Sequence, residues 1–440
     1  MNYDKHEFVS AIKKFINVEE IQNILIPYLK SLSIDILVRL EPQDPLKVLD
    51  PETYSIGYLY ILLARVQISK LESIWEDCVT FLNVFNISLV STLTPDEFKK
   101  ILKWICDNAN TIDESFLVID VLKSTLERYP DFAISLTPVR TIFVKQCFIT
   151  KAYEKARFIL DIDVEIFDKN NGITYIDHLL YHFYGALLYI KLKLFDRALQ
   201  FLRIIISAPT RNTSVIQVNA YKKFVILSLI VNGKMEPIPY ITDSIATKTY
   251  KVFGKVYNEF SQAYERQDHQ EIKDIYLKYR SVFIEDKNNK LIKYAINSLS
   301  YHEIYRFKEI YTSISIIDIN RKIGPWDDIL LDSQDSYNLT EKFISNMIQN
   351  GKLNAIITDY NSQRVVNFIN TVYDKQIQKE TLLKQAKDIS ILITKLSNLN
   401  CSSDLNDMYL AVQSSLSSQH TFYNNQINSL DDFPNIPDNF

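Results

Sequence analysis

Apolar residues along most of this chain recur three and four positions apart, the spacing that lines one face of an α-helix. Between Tyr54 and Ile68, the positions Tyr54, Tyr58, Ile61, Leu62, Arg65 and Ile68 form one such stripe, interrupted only at Arg65. Thr94 before Pro95 reads as the start of another helix, because proline in the first turn lacks only an N–H that has no helical partner there. Phe98, Ile101, Leu102 and Ile105 would be its buried face. The pattern continues to about residue 310 and predicts an all-helical body.

Two phrases within that body carry a weak internal repeat. Tyr153, Glu154, Lys155, Ala156 returns in kind as Phe195, Asp196, Arg197, Ala198. Ahead of the second phrase, Tyr181, Tyr184, Gly185 and Leu188 fit the first helix of a tetratricopeptide-like unit, where the small glycine lets the second helix approach, and Pro209 closes the unit. Adjacent antiparallel helices without a true repeat remain the alternative. Either reading gives a solenoid of stacked helix pairs.

After about residue 300 the pattern changes. Helices are predicted over Tyr301–Tyr311, Ile314–Ile323 and Tyr337–Ile348, followed by short strands over Lys352–Thr358 and Arg364–Phe368. Residues Asp359 to Gln363 lie between the strands, with Asn361 available for a turn that needs positive φ. Ser315 with Asp318, and Asn338 with Glu341, sit where caps would start the second and third helices. Three helices and a hairpin is the order of a winged helix. Beyond it, Leu382, Ala386, Ile389, Ile393 and Leu396 follow a four-three-four-three spacing, a narrow seam that calls for a partner helix. The last forty residues, rich in serine and asparagine, read as a mobile tail with one short helix around Leu405 to Leu416. The expected plan is therefore helical repeats over 1–200, a second helical part over 201–300, the winged helix over 301–370, a bundle helix over 371–398 and a tail over 399–440.

Composition removes several classes of function. Seven glycines in 440 residues, none closer together than Gly172 and Gly185, cannot build a phosphate-cradling loop, so P-loop and dinucleotide enzymes are excluded. The four cysteines are widely spaced without a CxxC pair, which argues against a zinc ribbon or a disulfide framework. The polar N-terminus is unlike a secretory signal, and stretches such as Ser55 to Ala64 and Phe224 to Val231 fall short of a membrane span of about 18 apolar residues. A soluble protein of the cytoplasm and nucleus is the expectation.

Candidate chemistry is sparse. His178 and His182 stand four apart on a predicted helix and could face one metal ion, but Leu179, Leu180 and Tyr181 between them supply no glutamate base. No nucleophile elbow and no His-x-His pair is present, so no catalytic, cofactor or metal site is assigned. Winged helices often read DNA, which makes charge the test. From Leu291 to Phe368 there are eight basic and nine acidic residues, and the candidate reading helix offers only Lys342 against Glu341. That is too little to neutralise phosphates, so no nucleic acid and no membrane partner is expected.

The run of helical repeats into a winged helix resembles the PCI modules of the proteasome lid, the COP9 signalosome and translation initiation factor 3. Within that family the signalosome branch is most similar, on Asn219 to Ile230 followed by Gly233 and Lys234, and on Tyr184, Gly185 leading to Phe195 to Leu199. Phe307 to Ile319 and Thr340 to Ala355 add to the likeness, which covers roughly residues 175 to 370. Two departures stand out: Gly324 to Asp328 lengthens a loop, and Asn361 to Arg364 lacks a glycine. The resemblance implies a non-catalytic scaffold in a complex whose zinc isopeptidase site belongs to another subunit. It implies contacts through the winged-helix edge, Leu353, Asn354, Ala355, Ile356 and Ile357, and through the C-terminal seam with helices of sister subunits. In the signalosome, subunits 1 and 8 would be the neighbours. The proteasome lid, the initiation factor and a winged-helix nucleic-acid binder are the alternatives.

Overall fold

A computed structural model describes residues 7–15, 17–38, 44–68, 71–109, 114–130, 132–167, 172–323, 336–349, 351, 353–360, 363–369 and 375–404. The chain forms two compact units, with the main boundary between Phe307 and Lys308. Residues 200 and 300 fall inside helices Phe195–Ser207 and Asn289–Ile310, so the breaks expected there are not breaks in the helical stack. Expectations for the tail beyond Asp404, for Asn361 and for the loop at Gly324 lie outside the described residues.

The first unit is a succession of helices, each packed on the next: Pro138–Ile149 on Tyr175–Lys191, that on Phe195–Ser207, that on Val215–Asn232, and that on Lys255–Arg266. Helix Pro95–Ala109 buries Phe98, Ile101, Leu102 and Ile105, as their spacing requires. Its predicted cap works differently: Thr94 is buried and its hydroxyl donates back to the Val90 carbonyl at 3.3 Å. Helix Ser55–Ile68 buries Tyr58, Ile61, Leu62 and Arg65, while Ile68 is exposed. Arg65 interrupts the apolar stripe without breaking the core because Asp44 receives its guanidinium, with Asp77 also close at 3.6 Å. The Arg65 guanidinium beside Asp44 helps hold that carboxyl below the usual carboxylate range, against the opposing effect of burial.

Side-chain caps register successive helices. Thr174 and Asp177 form a reciprocal capping box at Tyr175–Lys191, and Asp177 also accepts from Lys99 Nζ at 2.7 Å. Ser214 and Gln217 do the same at Val215–Asn232. The fully buried Gln217 Nε2 also donates to the Ile205 and Ala208 carbonyls, satisfying acceptors at the end of the preceding helix. Gly185 has the role the repeat predicts: a Cβ there would stand 2.7 Å from the Phe201 ring. The first repeat phrase is shorter than its counterpart, forming one 3₁₀ turn, Tyr153–Ala156, that runs into helix Arg157–Leu160.

Arg140 is fully buried and has no carboxylate partner in its hydrogen-bond set. Its guanidinium donates to the carbonyls of Ala133, Ile159 and Ile162 and to the Tyr181 hydroxyl, at 2.8–2.9 Å. Two of those carbonyls lie at the end of helix Arg157–Leu160, where partial negative charge accumulates. Neutral oxygens thereby satisfy a charge that would otherwise be costly to bury.

Helix Val215–Asn232 is long and apolar enough to cross a membrane, with a mean hydropathy of 1.2, beyond the shorter stretch read from sequence. It is a core helix, packed against Phe195–Ser207 and Lys255–Arg266. Lys222 pairs with Asp286 at 2.8 Å, and Lys223 donates to Asn288. Both lysines thus leave the helix flank toward one polar loop.

Candidate interaction surfaces

In the second unit, three strands build a small antiparallel sheet in the order β1, β3, β2: β1 is Ser313–Ser315, β2 Ala355–Tyr360 and β3 Gln363–Phe368. β1 overlaps the start of the helix predicted over Ile314–Ile323, which begins instead at Ile316. Three residues of alternating exposure are too few for a period to register; β1 exists because Ser313, Ile314 and Ser315 pair with Asn367, Val366 and Val365. Ile314, Ile316, Ile319, Ile344, Met347 and Val366 form the buried centre of the unit.

The two predicted strands are present with shifted limits. β2 starts at Ala355 rather than Lys352 and runs to Tyr360, and β3 begins at Gln363. The start is set upstream by Gly351, whose φ of +67° ends helix Ser336–Gln349. Leu353 N–H then donates to the Met347 carbonyl at 3.2 Å, so the backbone turns before the strand begins. Ser315 and Asp318 cap the second helix as expected, with Asp318 N–H donating to Ser315 Oγ at 3.1 Å. The other expected cap is corrected: helix Ser336–Gln349 already includes Asn338, and Glu341 pairs with Arg364 of β3.

Of the five residues proposed at the sheet edge, Leu353 and Ala355 are buried in the unit's own core and Ile357 is half-buried. Asn354 and Ile356 are exposed. β3 is the middle strand, so the outer edge of β2 is unpaired within the sheet. An edge strand of this kind offers backbone N–H and C=O groups to another chain. The edge thus presents backbone and Ile356, and not the whole side-chain set read from sequence.

The C-terminal helix spans Lys375–Asp404, past the expected end at residue 398. Leu382, Ala386, Ile389, Ile393 and Leu396 are all exposed on it, the four large residues at 55–63%. Leu383, Leu392 and Leu399 are exposed as well. By the period of about 3.6 residues, Leu392 and Leu399 fall beside Leu396, and Leu383 beside Ala386. The apolar face is therefore broader than the narrow seam expected.

His182 is buried, its Nδ1 lies 2.9 Å from the His178 carbonyl, and the two rings stand 4.5 Å apart against Phe167 and Phe201. Burial pushes His182 down to about 3 and lowers His178 too, so both rings are neutral. Among the described residues no three His, Cys, Asp or Glu side chains gather to hold a metal. Burial raises the thiols of Cys78, Cys106 and Cys147, the last two to about 12, which removes them as nucleophiles at neutral pH. Lys342 is exposed on helix Ser336–Gln349 as the one basic side chain of that helix.

The chain is similar in sequence to known proteins over most of its length. Residues 19–246 match the family described as COP9 signalosome complex subunit 3, N-terminal helical repeats. Curated relatives include COP9 signalosome complex subunit 3 of Dictyostelium discoideum, 26% identical over 317 residues, which are 71% of this chain and 73% of that protein. The protein of the same name from Arabidopsis thaliana is 26% identical over 328 residues, covering 73% of each chain.

Proposed function

Because the chain belongs to the family of COP9 signalosome complex subunit 3, we propose that it is a non-catalytic scaffold subunit of the signalosome, supporting cullin deneddylation performed by another subunit. The observation that carries this reading is the exposed apolar face of helix Lys375–Asp404. A helix in water gains stability mainly by burying its apolar face, and this one buries none of its described large side chains. The breadth of the face suits a bundle, in which one helix meets neighbours on two sides, better than a two-stranded coil.

The region from Lys308 is read here as the winged helix of a PCI module. Its β2 edge is the second contact, adding a strand or loop of a neighbouring module through backbone hydrogen bonds. Subunits 1 and 8 are the neighbours proposed, and the assembly works in cytoplasm and nucleus. The chain contributes position rather than chemistry: among the described residues, burial raises the Cys106 and Cys147 thiols and keeps the His182 ring neutral.

Affinity purification of the tagged full-length chain from its own cells, followed by mass spectrometry, tests the assignment. The other signalosome subunits are expected in near-equal amounts. Recovery of a complete proteasome lid or of initiation factor 3 without them would overturn it.

A further inference from the structure

Helix Ser244–Phe253 in the first unit is held by very little of itself. Only Ala246 and Tyr250 are buried. Tyr250 stacks on Tyr221 with ring centroids 4.9 Å apart and donates to the Ile206 carbonyl at 3.1 Å. Thr249 meets Thr213 at 3.3 Å. These contacts anchor one side of the helix and leave the opposite side to solvent.

The exposed side is mixed: Ile245 and Val252 are 51% and 70% exposed beside Lys248, Phe253 ends the helix at 64%, and Tyr240 and Ile241 in the approach to it are 98% and 63% exposed. Single exposed apolar residues need no explanation, but five large ones in so short a stretch form a patch of the kind that marks a contact site. The helical period sets Ile245, Lys248 and Val252 in one row. Lys248 and Lys251 are exposed and make no ion pair among the described residues. The nearby acid, Asp243, is occupied as the helix cap, accepting from Ile245 N–H at 2.9 Å. Lys255, one turn further on, has only Glu259 at 3.9 Å.

We infer that this face docks a segment of a partner protein that presents an apolar helix surface flanked by carboxylates. The aliphatic side chains require an apolar counterpart. The lysines between them require negative charge, because a neutral or basic segment would leave them desolvated and unpaired. Two unpaired lysines neutralise too few phosphates to hold a nucleic acid. Its residues are none of those of the terminal helix or the sheet edge, so the inference stands whether or not the assembly proposed above is correct.

The test uses the isolated full-length chain and a synthetic helix about 18 residues long, or about five turns, with leucine along one face and glutamate elsewhere. Its counterpart carries lysine in place of glutamate. Fluorescence anisotropy should show the glutamate peptide binding about tenfold or more tighter than the lysine peptide, with the difference shrinking as salt rises. Lys248→Glu with Lys251→Glu should lose that preference. Ile245→Asp with Val252→Asp should weaken binding about tenfold, with circular dichroism unchanged because both side chains are exposed. Hydrogen exchange should slow across residues 244–253 when the peptide is added. Equal binding of the two peptides, indifference of both double variants, or no protection at 244–253 would overturn the inference. So would tighter binding to vesicles of phosphatidylcholine and phosphatidylserine with the same residue dependence, which would make the face a lipid contact.

Discussion

Two long helices of this chain put similar side chains to opposite uses. Val215–Asn232 buries Phe224, Ile226, Leu227 and Leu229 completely, and even its two lysines reach partners, Asp286 and Asn288. Lys375–Asp404 exposes Leu382, Ile389, Leu392, Ile393 and Leu396. The first is surrounded by helices on its own chain, because short connections return the chain against both of its flanks. The second is the last described element and follows the sheet, so no later described segment returns to cover it. Hydrophobicity states what a helix needs, and the position of its neighbours decides whether its own chain supplies it.

The strongest way to break this comparison is to remove the exposed face. Changing Leu382, Ile389 and Ile393 together to aspartate should release the chain from its assembly. Burying each of these is worth about 1.5–3 kcal/mol, so losing three weakens the contact by roughly a thousandfold or more. Because the three are exposed, thermal unfolding of the isolated chain should move by no more than about 2 °C. Co-purification and scanning calorimetry on the same variant decide it. Normal assembly would remove the bundle role, while unfolding in isolation would show the face to be internal core.

A matched pair of alanine substitutions sharpens the contrast at smaller scale. Phe224→Ala removes a fully buried ring and should cost about 3–5 kcal/mol. Leu392→Ala on the terminal helix should stay within about 0.5 kcal/mol. Urea unfolding of both variants measures the difference, and equal costs would contradict the assignment of one helix to the core and the other to solvent.

Mild acid gives the smallest effect and separates the same two regions. His182 is neutral in the fold, its pKa held near 3 by burial, whereas the unfolded chain protonates it near pH 6.5. The unfolded state therefore binds the extra proton, and stability is complete above about pH 6.5 and declines as pH falls below it. Between pH 7 and 5 the loss should be about 2 kcal/mol. His269 opposes this: its contact with Glu303 raises its pKa, so its contribution is present in acid and lost as pH rises through the raised value. The terminal helix contains no histidine and should not follow either trend. Unfolding of the parent and of His182→Gln at both pH values isolates the first term; an unchanged pH dependence in the variant would refute the assignment.

Much of the helical body could be read locally. The face Phe98, Ile101, Leu102, Ile105 and the cap Ser315–Asp318 depend on residues within one or two turns of each other, and both are present. Gly185 could be assigned a close approach because the following phrase places Phe201 on the next helix. The sites were less legible. Leu353 and Ala355 read as strand-edge residues, yet the core of their own unit takes both. The exposed stripe at Ile245, Lys248 and Val252 carried the spacing of an ordinary core helix, with nothing local to say it would stay uncovered.

What the sequence by itself determined is whatever a helical period or a short capping motif can encode: where most helices run, which faces are apolar, and which catalytic loops cannot exist. Tertiary structure decided the rest, since it turns on partners far away in the chain. Arg65 is tolerated in an apolar stripe because Asp44 reaches it from 21 residues upstream. The strand at Ser313–Ser315 exists only because Val365 to Asn367 lies beside it. Glu341 leaves its expected cap for Arg364 in the same way. Long-range pairs of this kind depend on which segments the fold brings together, and a local pattern of apolar and polar residues carries no record of that.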